Sequence, residues 1–222
     1  DSYYMYQSEW TKKPVLHLFP HWNWLPGQQI DMWCYYNQAD EVELFINGKS
    51  QGIRKKKVHG EGNGAAFDRS TEYHVMWRVN FEPGEVKVVA RKQGREISSQ
   101  TIKTAGPPHH LVLKKTYQNT LASAVQTPSG VPADLQSPLS PTTFVEVNVV
   151  DKDGNLCPNA ENEIYFSSTA EILGTDNGNQ TSLERFTDPK RKAFFGKCII
   201  VLRGHGTLRA ESIDLQQATI KL

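Results

Sequence analysis

Apolar residues recur at every second position along this chain, in run after run, and each run ends in residues suited to a tight turn. Ile30, Met32, Cys34 and Tyr36 share one face of such a run, with Asp31, Trp33, Tyr35 and Asn37 on the other. Val42, Leu44 and Ile46 continue the period of two, which is the signature of half-buried strands. Asn47-Gly48 follows, a dipeptide that accepts positive φ at both centres of a two-residue hairpin. Val75, Trp77, Val79 and Phe81 form the next run, Pro83-Gly84 turns the chain, Val86, Val88 and Ala90 resume it, Gly94 turns it again, and Ile97 to Thr104 closes the set. Short alternating strands at about eight- to twelve-residue spacing, punctuated by turn chemistry, indicate a β-sandwich.

Ala105-Gly106-Pro107-Pro108 interrupts this pattern, since glycine and consecutive prolines break any ladder, and alternation restarts at Leu111 and Leu113. Val145, Val147 and Val149 then face one way, with Glu146 and Asn148 facing the other. Phe194, Ile199 to Leu202, Leu208 with Ala210, and Ile220 with Leu222 supply later strands. The Ser- and Pro-rich stretch from Thr116 to Thr142 has weak periodicity and reads as a long loop. The first dozen residues are the exception to the β pattern. Tyr3, Tyr6, Gln7 and Trp10 lie at helical spacing, so a short helix would carry an aromatic stripe with no evident receiver among the strands that follow. Beyond them no helix is expected.

The 222 residues suffice for one large domain or two ordinary ones, and 38% hydrophobic with 22% charged residues indicates a folded globular chain. A net charge of +1 gives no electrostatic reason to expect nucleic acid or an anionic membrane as partner. The basic run Arg54 to Lys57 is too short for a nucleic-acid footprint and reads as a solvated strand end. No apolar stretch approaches the roughly 20 residues of a membrane helix. The sequence starts without Met and without a signal-peptide pattern, so a mature product or a piece of a longer chain is expected. Cys34, Cys157 and Cys198 lack metal spacing; Cys34 reads as a buried free thiol, and a Cys157–Cys198 pairing stays open.

Particular stretches carry a family resemblance. "YYMYQSEWTKKPVLHLFPHWNW" resembles the junction at the end of the catalytic barrel in family 2 glycoside hydrolases, especially β-galactosidase-like members, with His21 to Trp24 leading out of the barrel. "DEVELFINGKSQG" (40–52) and "EPGEVKVVARKQGREI" (82–97) resemble hairpins of the sandwich that follows. "DNGNQTSLERF" (176–186) and "RKAFFGKCIIVLR" (191–203) resemble the family's C-terminal immunoglobulin-like domain. The resemblance covers nearly the whole chain in order. It implies an all-β region of two tandem immunoglobulin-like β-sandwiches, 25–105 and 106–222, preceded over 1–24 by a helical remnant of the barrel and a linker. The implied role is non-catalytic support for an upstream barrel of the same chain, in a periplasmic or secreted parent enzyme that hydrolyses terminal β-linked galactose. A carbohydrate-binding module and tandem adhesion domains are the alternatives.

Several residues are of the types that catalysis or ligand binding uses. Retaining glycosidases need two carboxylates about 5–5.5 Å apart. Asn162-Glu163 matches the family's acid/base dipeptide in type but opens a strand in the wrong domain, and Glu41 and Glu43 read as solvated. Asp151-Lys152-Asp153-Gly154-Asn155-Leu156 resembles the start of a calcium loop, yet Leu156 occupies the position that requires Gly and Asn162 the one that requires Glu. A hairpin turn is the simpler reading, so Asp151, Asp153 and Asp176 are weak metal candidates, and no metal or other cofactor is expected. Gly60 to Gly64 lacks the Lys-Ser/Thr and helix of a phosphate cradle. His17, His21, His109 and His110 do not converge as zinc ligands would. Trp22, Trp24 and Trp33 are the carbohydrate-contact candidates, because sugars stack on exposed indoles; packing as a wedge against the barrel is the simpler reading. Either way they are expected to form an exposed apolar patch in this chain, which leaves an oligosaccharide or polysaccharide and a second copy of the chain open as partners.

Overall fold

The computed structural model describes residues 1–57, 70–119 and 141–222. The Gly60–Gly64 stretch and most of the Ser- and Pro-rich segment lie outside the described residues. The chain divides into two compact units, Asp1–Thr104 and Ala105–Leu222.

The first unit opens with helix α1 (Ser2–Trp10). Strands β1 (Leu16–Phe19), β2 (Gln29–Tyr36), β3 (Glu41–Ile46) and β4 (Lys49–Arg54) follow, then a helical turn α2 (Ser70–Tyr73) and strands β5 (Val75–Asn80), β6 (Glu85–Lys92) and β7 (Arg95–Lys103). They form a three-stranded sheet, β1-β2-β5, and a four-stranded sheet, β4-β3-β6-β7, antiparallel throughout. The residues that alternate in the sequence fill the space between them. Met32, Cys34, Val42, Leu44, Val86 and Val88 are buried in one apolar core.

Turn chemistry sets the register. Asn47 and Gly48 adopt φ of 47° and 78°, closing a two-residue hairpin between Ile46 and Lys49. The Asn47 side chain then reaches a neighbouring turn, donating to the Pro83 carbonyl at 3.1 Å and accepting from the Glu85 N–H at 2.9 Å. Gly84 lies against it with φ 133°, and a Cβ there would come within 2.0 Å of Asn47 Oδ1.

Two features of this unit differ from the sequence reading. Leu16–Phe19, expected as linker, is a strand paired with β2 from Leu16↔Tyr36 to Phe19↔Trp33. Pro14 and Pro20 bracket it and hide it from a search for long runs, but Leu18 is 1% exposed and belongs to the core. α2 is a helical turn where none was expected.

The second unit contains β8 (His110–Asn119), β9 (Thr142–Val150), β10 (Glu163–Ser168), β11 (Glu171–Asp176), β12 (Lys190–Lys192), β13 (Lys197–Arg203), β14 (Thr207–Glu211) and β15 (Ala218–Lys221). Its sheets are β11-β13-β9-β8 and β12-β10-β14-β15, each four-stranded. Val145, Val147, Val149, Ile164, Ile200, Leu202 and Leu208 form its core. β8 runs to Asn119, past the Thr116 at which the sequence reading starts a loop. The chain is all-β apart from α1 and α2 in its described residues, as the alternation requires.

Candidate functional site

The tryptophans are distributed by strand alternation and do not form one patch. Trp22 is fully buried: its Nε1 donates to the Glu82 carbonyl at 3.0 Å and its ring meets Phe81 edge-on. It is a core residue of the first unit, which removes it from any surface platform and corrects the expected exposed cluster. Trp24 folds back on its own turn, stacked on His21 at 4.3 Å with Nε1 donating to the His21 carbonyl. Trp33 alternates with the buried Met32 and Cys34 and so lies on the outer face of the β1-β2-β5 sheet. There it stacks on His74 at 4.2 Å within a row that includes Phe19, Tyr35 and His17. An imidazole therefore covers one ring face of Trp24 and one of Trp33.

α1 is held to the sandwich by the side away from its aromatic stripe. Tyr4 stacks on His17 at 3.8 Å, and Ser8 is buried. Asn37 Nδ2 donates to the carbonyls of Ser8, Thr11 and Lys13, while its Oδ1 accepts from the Val15 N–H. Lys56 bridges Glu9 at 2.6 Å. The sandwich thus receives the helix, which the sequence reading did not foresee, because the contacts are polar and alternation puts Asn37 on a solvated face without naming its partners. The stripe itself stays open: Tyr3, Tyr6 and Trp10 are 66%, 47% and 78% exposed.

Each glutamate considered for acid–base work is paired with a cation. Glu163 accepts from Lys190 at 2.8 Å and from the Tyr165 hydroxyl, which together hold its pKa down. Glu41 meets Lys55 at 3.1 Å, and Glu43 meets Arg91 and Ser50 at 2.6 Å each.

Asp151 is the hub of its turn. Its Oδ1 accepts from the N–H groups of Asp153 and Asn155, and its Oδ2 from the Gly106 N–H and Asn155 Nδ2. Burial pushes its pKa up, but these bonds outweigh burial and the net shift is down. Asp176 caps its own turn through the N–H groups of Asn177 and Gly178. Asp153 is exposed. Among the described residues no group of three or more His, Cys, Asp or Glu side chains is placed to hold a metal ion.

The most elaborate polar arrangement was not legible in advance. Arg191, the centre of the charged strand β12, is 1% exposed. Its guanidinium donates to the carbonyls of Thr175 (2.7 Å), Arg185 (2.8 Å) and Glu184 (3.3 Å) and to Thr175 Oγ1. It also lies 5.5 Å from the Phe186 ring centroid. Within this loop Glu184 accepts from Ser182 Oγ and the Lys192 N–H, and Asn177 donates to the Lys192 carbonyl. The fork geometry of Arg makes one side chain fix several carbonyls at once. The loop it fixes walls an open cleft of about 590 Å³, lined among others by Glu161, Asn179, Leu183, Lys192 and Phe194.

The chain resembles known proteins over its whole length. Residues 27–98 match a domain family of unknown function, and residues 134–221 match the glycoside hydrolase family 2 C-terminal domain 5. A β-galactosidase of Bacteroides ovatus is 49% identical over 229 aligned residues, which take in 100% of this chain and 24% of that protein. A putative β-glucuronidase of Formosa agariphila is 32% identical, over 91% of this chain and 18% of its own length. The crystal structure of a β-glycosidase from Bacteroides vulgatus superposes with a TM-score of 0.78 at 29% identity, covering 100% of this chain and 26% of that one. This chain therefore spans a quarter or less of the curated relatives named here. Residues 134–221 thus carry the C-terminal domain of glycoside hydrolase family 2, and the whole chain resembles one part of a larger β-galactosidase.

Proposed function

We propose that the chain serves as the accessory region of an enzyme that hydrolyses terminal β-linked galactose, supporting an upstream catalytic body and having no hydrolase activity of its own. The observation that carries this reading is the alignment of the entire chain, at 49% identity, with a quarter of a β-galactosidase. The open aromatic row on α1 supports a large apolar partner beside it, because exposed contiguous apolar surface marks an interaction site. A β-glucuronide substrate is the second reading, favoured by the putative β-glucuronidase relative.

The test is to express the parent enzyme with and without these residues and to follow hydrolysis of p-nitrophenyl β-galactoside and β-glucuronide. The expected result is that the full enzyme cleaves the galactoside in preference, that truncation lowers its thermal midpoint or activity, and that this chain alone turns over neither. Turnover by the chain alone would overturn the accessory role. A preference for the glucuronide would replace the substrate and leave the role standing.

A further inference from the structure

The cleft on the second unit has a composition that selects its ligand. Leu183, which is 98% exposed, and Phe194 supply apolar surface on its lining. Glu161, Lys192 and Asn179 supply the polar groups of the lining. Lys192 contributes to the turn network through its backbone N–H and carbonyl, and its exposed ammonium, which acts on Glu163 through space without a hydrogen bond to it, keeps its donors for a ligand. Asn179 uses Oδ1 to accept from the Thr181 N–H and hydroxyl, which leaves its Nδ2 donor available. The wall is fixed in advance by the buried Arg191 clamp and the Glu184–Ser182 bond, so little ordering remains for a ligand to induce.

A molecule that matches this surface needs an apolar face for Leu183 and Phe194 and a rim of hydroxyls for the amide, carboxylate and ammonium. A pyranose ring has both, its C–H face and its equatorial hydroxyls. A phosphate-bearing ligand does not fit, because Glu161 and Glu184 offset the single lysine. At about 590 Å³ the cleft falls within the roughly 300–1,000 Å³ of small-ligand sites.

We propose that this cleft is a carbohydrate-binding subsite, which takes one or two β-linked pyranose units and holds them through Asn179, Glu161 and Lys192 over Leu183 and Phe194. The proposal rests on the reading that the chain serves a glycosidase, and it names a part of that substrate the chain itself would hold. It moves the carbohydrate contact from the indoles of the first unit to a loop of the second.

Isothermal titration calorimetry on this 222-residue chain tests it, with β-1,4-galactobiose, cellobiose and methyl β-glucuronide as separate probes. Saturable binding of at least one probe is expected. Asn179→Asp keeps the acceptor that Thr181 uses and removes the donor, and Glu161→Gln removes a charge from an exposed side chain. Each should weaken binding about tenfold, one hydrogen bond's worth, with circular dichroism unchanged. Trp33→Ala should leave binding intact. A glucuronide response that Lys192→Met abolishes would identify a uronate-containing ligand, and a response to galactobiose that survives Lys192→Met would identify a neutral one. Failure of all three probes to bind overturns the subsite, as does binding lost in Trp33→Ala and kept in both cleft variants. Neither result touches the accessory role, which the truncation experiment decides separately.

Discussion

At the scale of single residues, the fold depends on polar groups that are buried with their bonds complete. Asp151 is the clearest case, because its two oxygens tie the first residues of the second unit to the turn after β9. In Asp151→Asn one oxygen becomes an amide donor, and in either orientation it faces donors it cannot serve. A loss of about 1–3 kcal/mol is expected from urea unfolding, the cost of leaving buried donors unmatched. The pH dependence has a definite sign. The folded carboxyl titrates below its ordinary value of 3.8, so its contribution is complete above that pH and is lost as pH falls through the folded value. The stability gap between wild type and Asp151→Asn should therefore be constant near neutrality and close under acid; a gap that persists below the folded value would refute the assignment. The thiols make a second residue-scale case. Cys34, Cys157 and Cys198 are all free and buried, and burial pushes their pKa values up to about 12, 11 and 12. A thiol kept protonated and covered is a poor nucleophile. A thiol-reactive dye should label the native chain slowly and all three cysteines once denaturant is added, and rapid labelling of the native chain would contradict the burial.

At the scale of elements, α1 shows how a helix of nine residues, too short to persist alone, is kept by side-chain bonds from a sheet. Asn37 supplies one to Ser8 of the helix and two more to the Thr11 and Lys13 carbonyls just beyond it. Asn37→Ala should release residues 8–15 from the sandwich and make the Lys12–Lys13 bond a preferred tryptic site, with the remaining β structure intact by circular dichroism. An unchanged cleavage pattern would mean that the Tyr4–His17 stack and the Glu9–Lys56 bridge suffice. The same element marks the boundary of what period-two reasoning reveals. β2, β3, β5, β6, β9 and β13 were legible because each alternates a buried apolar residue with a solvated one over several positions. β1 was not, being four residues between prolines, and neither was β12, whose Lys-Arg-Lys reads as a solvated edge although its central residue is buried. Asn37 and Arg191 were missed for one reason. Their partners are backbone carbonyls outside their own element, and no local pattern encodes which carbonyl a side chain will meet. Trp22 fails differently: an indole in a short loop has no alternating neighbours to assign it a face, so its burial follows from tertiary packing alone.

At the scale of the whole molecule, each unit closes its own core, and among the described residues no sheet draws strands from both. Every tryptophan of the chain (Trp10, Trp22, Trp24, Trp33 and Trp77) falls within the first unit. Tryptophan fluorescence therefore reports that unit, whereas far-ultraviolet circular dichroism reports both. A pair of substitutions uses this asymmetry. Gly84→Ala forces a Cβ into Asn47 Oδ1 at a positive φ and strains the first unit. Arg191→Met leaves the carbonyls of Thr175, Glu184 and Arg185 without their donor in the second, at a cost of about 3 kcal/mol. Arg191→Lys should not rescue it, because one ammonium cannot span the positions that the guanidinium fork reaches. The expected outcome in urea is that Gly84→Ala moves the fluorescence midpoint down, while Arg191→Met moves the circular dichroism transition and leaves fluorescence where it was. Fluorescence and dichroism midpoints that fall together in both variants would mean that the units unfold as one cooperative body, and the stability of the accessory region would then have to be treated as a single quantity.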